Sequence, residues 1–318
     1  FIYNMEQFLE KNIIKFCEVA NINRSELKQV DSPFIDESKD PQSCADPEEQ
    51  IIPKKKKKRP SVQLSAESSA AVTPVTAVDI DASADPAQVS PGKMNTAACS
   101  VIMQTNYAAR MARRDLLRCV GKLATMLTKW TPLEDEKLFR MISYVNSTKH
   151  YREVGFIGDS IDKLFLGLYV DADFAGDKSD MKSTSGIFLV LLGPHTYFPL
   201  TGVSKKQTAQ SHSTPEAEII AAAEGLRTIG YPALDLWEKI LGRSAVTLKL
   251  YEDNESAQAI IKSGKFPRMR HVKRVHGVSI SALHDEHKRK LFELADCHTK
   301  AQAADIFTKY IISRITWQ

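Results

Sequence analysis

This chain has little of what would tie it together covalently or hold it in a bilayer. Its 318 residues include five cysteines, at positions 17, 44, 99, 119 and 297. They are scattered, with no C-x-x-C metal spacing and no disulfide framework, so a reducing compartment is expected. No apolar run approaches the roughly 20 residues a membrane-crossing helix needs. No signal peptide is visible at the start, and the chain opens on Phe1 rather than methionine, so a fragment or a processed piece is expected. Net charge excludes little: Lys+Arg 43 against Asp+Glu 39 leaves +4. Where those charges lie says more than their sum.

Residues 1 to about 30 carry apolar side chains at helical spacing: Met5, Phe8, Leu9, Ile13, Phe16 and Cys17. So short a helix cannot bury its face alone, and a partner outside the chain is expected. From 36 to 98 the composition turns to Asp, Glu, Ser and Pro, then to an Ala/Ser/Pro/Val tract, which predicts a disordered low-complexity linker. Within it lies the basic run Lys54 to Arg59, open to two readings: a nuclear-localisation or nucleic-acid patch, or a solvated charge run. A helical segment is predicted over 99–154. One stripe there is Leu116, Leu117, Val120, Leu123, Ala124 and Leu127, with a helix terminating at Thr131. A second is Leu138, Met141, Ile142 and Val145. Arg110, Arg113, Arg114, Arg118, Lys122 and Lys129 share that region, facing either a nucleic-acid backbone or, as a solvated helix face, only water.

From 155 onward the pattern is mixed α/β. An apolar run, Leu164–Val170, reads as a buried strand that stops on Asp171, with Asp173 two residues on and so on the same face. That pair reads either as a turn-forming strand end or as half of a metal site needing a counter-ion. Ile187–Leu192 and Tyr197–Val203 complete a three-stranded antiparallel meander. Thr214-Pro215 predicts a helix start, with Thr214 as its cap and Glu218 in the first turns; Gly230-Tyr231-Pro232 predicts a break. A fourth strand, Val246–Tyr251, ends on Glu252 and Asp253, and a helix follows from Asn254. The stretch 262–276 is basic and holds no acid. A fifth strand spans Leu291–Leu294, and a capping-box pattern at Thr299–Gln302 predicts a final helix carrying Asp305.

Four acids thus stand at the ends of strands or the starts of helices: Asp171, Glu218, Asp253 and Asp305. If the first and fourth strands are parallel neighbours, Asp171 and Asp253 lie side by side. Four converging carboxylates suit two divalent ions, Mg²⁺ or Mn²⁺, clamping a scissile phosphate. The basic stretch would then hold a polynucleotide backbone.

The segments YVDADFAGD, STSGIFL, SKKQTAQSHSTPEAEIIAA, LYEDNESAQ, MRHVKRVHGV and AADIFTK, in this order, resemble the ribonuclease H domain of a copia-type retrotransposon Pol polyprotein. NYAARMARRDLL and KLFRMISYVNSTKHY resemble the connection segment of the same family, and NMEQFLEK with QVDSPF resembles the end of its reverse transcriptase. The resemblance implies four parts: a reverse-transcriptase remnant over 1–35, the linker over 36–98, the connection over 99–154 and a ribonuclease H-like five-stranded domain over 155–318. It implies Asp171, Glu218, Asp253 and Asp305 as catalytic metal ligands for two Mg²⁺ or Mn²⁺ ions, with Asp173 auxiliary. It implies as substrate the RNA strand of an RNA/DNA hybrid during reverse transcription, and as partner the rest of the polyprotein, in a cytoplasmic virus-like particle or the nucleus. His298 stands where related enzymes carry a mobile histidine that helps product leave; its other reading is a loop histidine. Lys205, Lys206, Arg270, His271, Lys273 and Arg274 are the candidate nucleic-acid contacts.

Departures from the family pattern bear on this. Arg114 stands where members usually have proline. Gly202-Val203 stands where a tryptophan usually precedes SKKQ. Glu255 reads as a solvated bystander. The polymerase's paired aspartates are missing, so this piece cannot polymerise. The rival readings are a non-catalytic scaffold that tethers the polymerase, and a decayed transposon fragment. Integrases and resolvases share such a fold, but their catalytic sets are smaller and the motif order here speaks against them.

Overall fold

The computed structural model describes residues 1–35, 91–177, 180–241 and 246–310. Most of the expected linker, including Lys54–Arg59, lies outside these, as does everything after Tyr310. The described residues belong to one compact unit, which resumes at Pro91, a few residues before the boundary expected near 98.

A minimal ribbon joins β1 (Ile2–Tyr3) to β2 (Glu153–Val154). Between them in sequence, among the described residues, come four α-helices: α1 (Glu6–Ala20), α2 (Ala98–Met111), α3 (Leu117–Thr125) and α4 (Pro132–Thr148). Thr131, expected to end a helix, starts one: with Glu134 it forms a reciprocal capping box at the head of α4, and Pro132 fills the first turn, where its missing N–H costs nothing. The stripe on α1 needs no partner outside the chain. Leu9, Ile13 and Phe16 are buried in a core shared with α2, α3 and α4, and Asn12 donates to Thr105 Oγ1 at 2.7 Å across it.

The remaining strands, β3 (Phe165–Asp177), β4 (Lys182–Gly193), β5 (Thr196–Lys206), β6 (Thr247–Glu252) and β7 (Glu293–Asp296), form one mixed sheet in the order β5-β4-β3-β6-β7. The first three are the expected antiparallel meander; β6 and β7 run parallel to β3. This is the mixed α/β plan that the sequence pattern predicts and the five-stranded ribonuclease H-like sheet that the resemblance implies.

On the far face lie α5 (Thr214–Gly225), α6 (Tyr231–Leu241), α7 (Glu255–Ser263), the single turn α8 (Val272–Val275) and α9 (Ile280–Lys288). The pleat divides the side chains. Leu166, Leu168 and Val170 of β3 join Ile187 and Leu189 in the core under α5 and α7, whereas Tyr169 and Phe188 face the core of the first four helices. The sheet is therefore a middle layer.

Three local expectations are corrected, and one helix is unexpected. Ser213, not Thr214, caps α5. No break occurs at Gly230: the chain passes from α5 into α6 through a wider π turn, Leu226–Gly230. The helix α9 gave no recognised signal. Asp305 sits on a 3-10 turn, Ala303–Phe307, and not in a capped α-helix; Gln302 caps that turn.

Candidate metal centre

The site arises where β3 outlasts its parallel neighbour. Pairing of β3 with β6 ends at Tyr169 opposite Tyr251, while β3 continues along β4 to Asp177. Asp171 is thus inside a strand, not at its end. It sits just past the last parallel pair, with Asp253 one residue beyond the end of β6. Glu218 arrives from α5, which packs small residues against the sheet: Ala217, Ala221 and Ala222 are fully buried. The backbone oxygen of Val170, left free by the end of the parallel ladder, accepts from Gln302 Nε2 at 2.9 Å. Gln302 thereby fixes the turn that carries Asp305. Gly186 admits this turn, since a Cβ there would meet Ala304 O at 2.8 Å.

Asp171, Glu218 and Asp253 present carboxylate oxygens that all lie within 4.8 Å of one another, the one such group among the described residues. Asp171 and Glu218 are nearly inaccessible. Burial pushes the Asp171 carboxyl up to about 6, against the pull of a hydrogen bond from Thr308 Oγ1. Burial first, and then the charges of Glu252, Asp171 and Asp253, push Glu218 far above the usual carboxylate range. Glu252, fully buried at the end of β6, is also raised by burial, against a hydrogen bond from the Asn254 amide. One oxygen of Glu218 and one of Glu252 are buried without a hydrogen-bond partner. Like charges left bare in a dry site need a cation, and an all-carboxylate donor set suits a hard divalent ion. The residues present therefore fit Mg²⁺ or Mn²⁺.

Asp305 stands beside this group, not in it. Its Oδ1 accepts from Lys309 Nζ at 2.6 Å, and burial together with the charge of Asp253 raises its carboxyl against that bond. Asp173 shares the face of Asp171 but pairs with Arg118 at 3.3 Å. Glu255 is exposed. His298 is exposed too, its Nδ1 accepting from the Lys300 amide as a turn cap. Lys205 and Lys206 pair with Glu224 and Asp180. Arg270, Lys273 and Arg274 are exposed. His271 is tied at 3.0 Å to buried Glu216, which anchors the basic stretch to the first turn of α5.

Three of the six basic residues of the helical segment fit neither reading offered for them. Arg113, Arg114 and Arg118 are buried. Arg113 grips Asp115 at 2.7 Å and the Thr148 carbonyl at 2.9 Å, between the rings of Tyr144 and Tyr151. Arg114 pairs with Glu153 at 2.9 Å and donates to Leu200 O at 3.2 Å. Arg118 donates to Thr184 Oγ1 at 2.7 Å and lies over the Tyr310 ring. Arg114 and Arg118 fasten the helices to the sheet. Sequence reasoning also left out Glu252, Thr308, Gln302 and Lys309. Only Glu252 carried a signal: adjacent acids closing a strand point to opposite faces, so one of them turns inward. The missing tryptophan has a structural counterpart, because a Cβ at Gly202 would meet the Phe307 ring at 2.8 Å.

Sheet order, mixed pairing and acids at the parallel step define a ribonuclease H-like domain with a carboxylate centre. No protein-family model matches the chain. The Retrovirus-related Pol polyprotein from transposon RE1 of Arabidopsis thaliana is 29% identical over 220 residues, 69% of this chain and 14% of that one. The Retrovirus-related Pol polyproteins from transposon RE2 of Arabidopsis thaliana and transposon TNT 1-94 of Nicotiana tabacum are 28% and 27% identical over 219 residues each, and the chain spans about one seventh of the length of these three relatives. The Secreted RxLR effector protein 161 of Plasmopara viticola is 34% identical over 118 residues, 37% of this chain and 78% of that one. The solved structure of LC11-RNase H1, isolated from compost, overlaps 46% of this chain and 95% of its own, at 14% identity and a TM-score of 0.30.

Proposed function

We propose that this chain is a retrotransposon ribonuclease H that hydrolyses the RNA strand of an RNA/DNA hybrid during reverse transcription. The observation that carries this reading is the trio Asp171, Glu218 and Asp253, with bare buried oxygens on Glu218 and Glu252. Asp171, Glu218 and Asp253 would hold the divalent ions, and Asp305 would take its part from the adjoining turn. Bound Mg²⁺ or Mn²⁺ would supply an activated water and a charge to meet the leaving oxygen.

The chain's own residues do the rest. Thr308 orients the Asp171 carboxylate. Gln302 holds the turn bearing Asp305 against β3. Lys309 keeps Asp305 in place. Arg270, Lys273 and Arg274, all exposed, would meet phosphates, and a hybrid is told from DNA by its 2′-hydroxyls and shape. The chain would act alongside the rest of the Pol polyprotein, in a virus-like particle or the nucleus.

The test is cleavage of a hybrid labelled on each strand, using the whole chain, because 1–35 and the first helices share a core with the sheet. Cuts confined to RNA, present with Mg²⁺ or Mn²⁺ and absent with EDTA or Ca²⁺, are expected. A folded chain that binds hybrid without cutting it overturns the nuclease and leaves the scaffold. A chain that does not fold points to a decayed fragment.

A further inference from the structure

The arginines that turned inward leave Arg110, Lys122 and Lys129 at the surface, and the first two line a groove that the acids do not use. The groove follows β5, the edge strand of the sheet, beneath α2 and α3. Its first part, about 500 Å³, lies between Tyr107 and Arg110 of α2 and the stretch Thr201–Ser204 of β5. Its second part, about 290 Å³, lies between Lys122 of α3 and Lys205 and Lys206. Ser204 lines both, so the two parts adjoin. No lining residue of either part is acidic. The acids near its rim, Glu224 and Asp180, reach Lys205 and Lys206 from the surface, and such pairs exchange cheaply for a phosphate. Arg110 makes no ion pair among the described residues. The half-exposed Tyr107 ring is steadied by Phe8 at 5.2 Å, which gives a base a flat surface to stack on.

The groove and the acids lie on one face of the sheet, with the turn Ala303–Phe307 seated between them over Gly186. Asp171 pairs with Gly186, and Gly186 with Ser204, so the three share a face of the sheet. Two strand spacings, about 10 Å, separate the acid from the groove wall.

We infer that this groove binds the phosphate backbone of the nucleic acid whose other part reaches the acids. The inference deepens the nuclease reading by giving the connection helices a share of the substrate. A polyanion is the occupant that the charge favours: cations line both parts, hydroxyls fill between them, and one aromatic ring closes the end.

The experiment measures hybrid affinity in EDTA, across a range of KCl concentrations, for the whole chain. The double variant Arg110→Gln/Lys122→Gln should bind roughly tenfold more weakly near 0.1 M salt. Its log–log salt slope should be flatter by about two units, one for each lost phosphate contact. Asn106→Glu/Thr125→Glu keeps the cations and adds acids to the walls, and should weaken binding similarly. Removing the same charge elsewhere, in Lys11→Gln/Lys28→Gln, should leave the slope alone. An unchanged slope in both groove variants overturns the inference, as does an equal loss in the control. So does competition for the groove by a peptide with the acidic sequence 36–49, which would make it a seat for the chain's own segment. Cleavage in Mg²⁺ is read separately. A flattened slope in a chain that never cuts supports the groove and overturns the nuclease, and cutting with an unaltered slope does the reverse.

Discussion

Two groups of charged side chains are equally removed from water here, and the fold treats them in opposite ways. Arg113, Arg114 and Arg118 each meet a carboxylate and at least one further acceptor. Asp171, Glu218 and Glu252 meet mostly one another's charge, and two of their oxygens meet nothing. The first group finds its counter-charges within the protein, even though Nε and Nη1 of Arg114 and Nε of Arg118 are buried without a hydrogen-bond partner, and belongs to architecture. The second is satisfied only by something that arrives, and belongs to chemistry. Burial alone does not mark a working site; burial of like charges without a counter-charge does.

The sharpest way to break this contrast is Asp171→Asn. It keeps the shape and removes a charge, so hybrid cleavage should fall at least about a thousandfold, near 4 kcal/mol of barrier, with binding retained. Parent-like turnover would place the activity elsewhere. Next comes Arg113→Ala, which strands Asp115 and the Thr148 carbonyl. It should cost about 3 kcal/mol of stability in urea titrations, whereas Glu218→Gln should cost almost none. Equal losses would erase the distinction between the two groups.

The pH dependence follows from the acids. Asp171 rises from 3.8 to about 6 in the folded chain. Between those values the unfolded carboxyl has released its proton and the folded one has not. Metal-free stability is therefore full below about pH 4 and falls as pH climbs through about 6, by up to about 3 kcal/mol. Glu252 and Glu218, raised further, continue the fall into alkaline pH. Melting temperatures in EDTA should show this decline and Mg²⁺ should flatten it; a flat EDTA curve would mean the acids are not strained.

A smaller effect is expected from Asp253→Asn, which relieves repulsion and should hold or raise metal-free stability by about 1 kcal/mol. Mg²⁺ should lift the melting point of the parent more than that of this variant, and equal lifts would speak against the site. Smallest of all is Arg270→Gln/Lys273→Gln/Arg274→Gln. These exposed charges belong to neither group, so stability should move by less than about 0.5 kcal/mol. The salt slope of hybrid binding should flatten by about one unit per lost contact.

The sequence disclosed those elements whose physics is local. Although Thr131, the cap of α4, reads as the end of a helix, the apolar run of β3 and the capped start of α5 could be read to within a few residues. So could the placing of Asp171 beside Asp253, which needed only that two strands be parallel. What escaped depended on distant partners. Arg113, Arg114 and Arg118 look like a basic helix face until Asp115, Glu153 and Asp173 are placed opposite them. Glu252 and Asp253 are neighbours in sequence, and only the pleat decides which turns inward. The expected helix around Asp305 is a 3-10 turn whose cap, Gln302, also bonds Val170 across the sheet, a partner that local sequence does not announce.

That anchor has a consequence in time. Thr308 meets Asp171 across 137 residues of chain, and Gln302 meets Val170 across 132. Hairpins such as β3–β4 close early, because their loops are short; parallel neighbours and long-range clasps close late. During folding, then, the carboxylates stay apart and hydrated until the meander and the helices around it have formed. The electrostatic cost of crowding them falls on the final steps of assembly, when enough core is already buried to bear it.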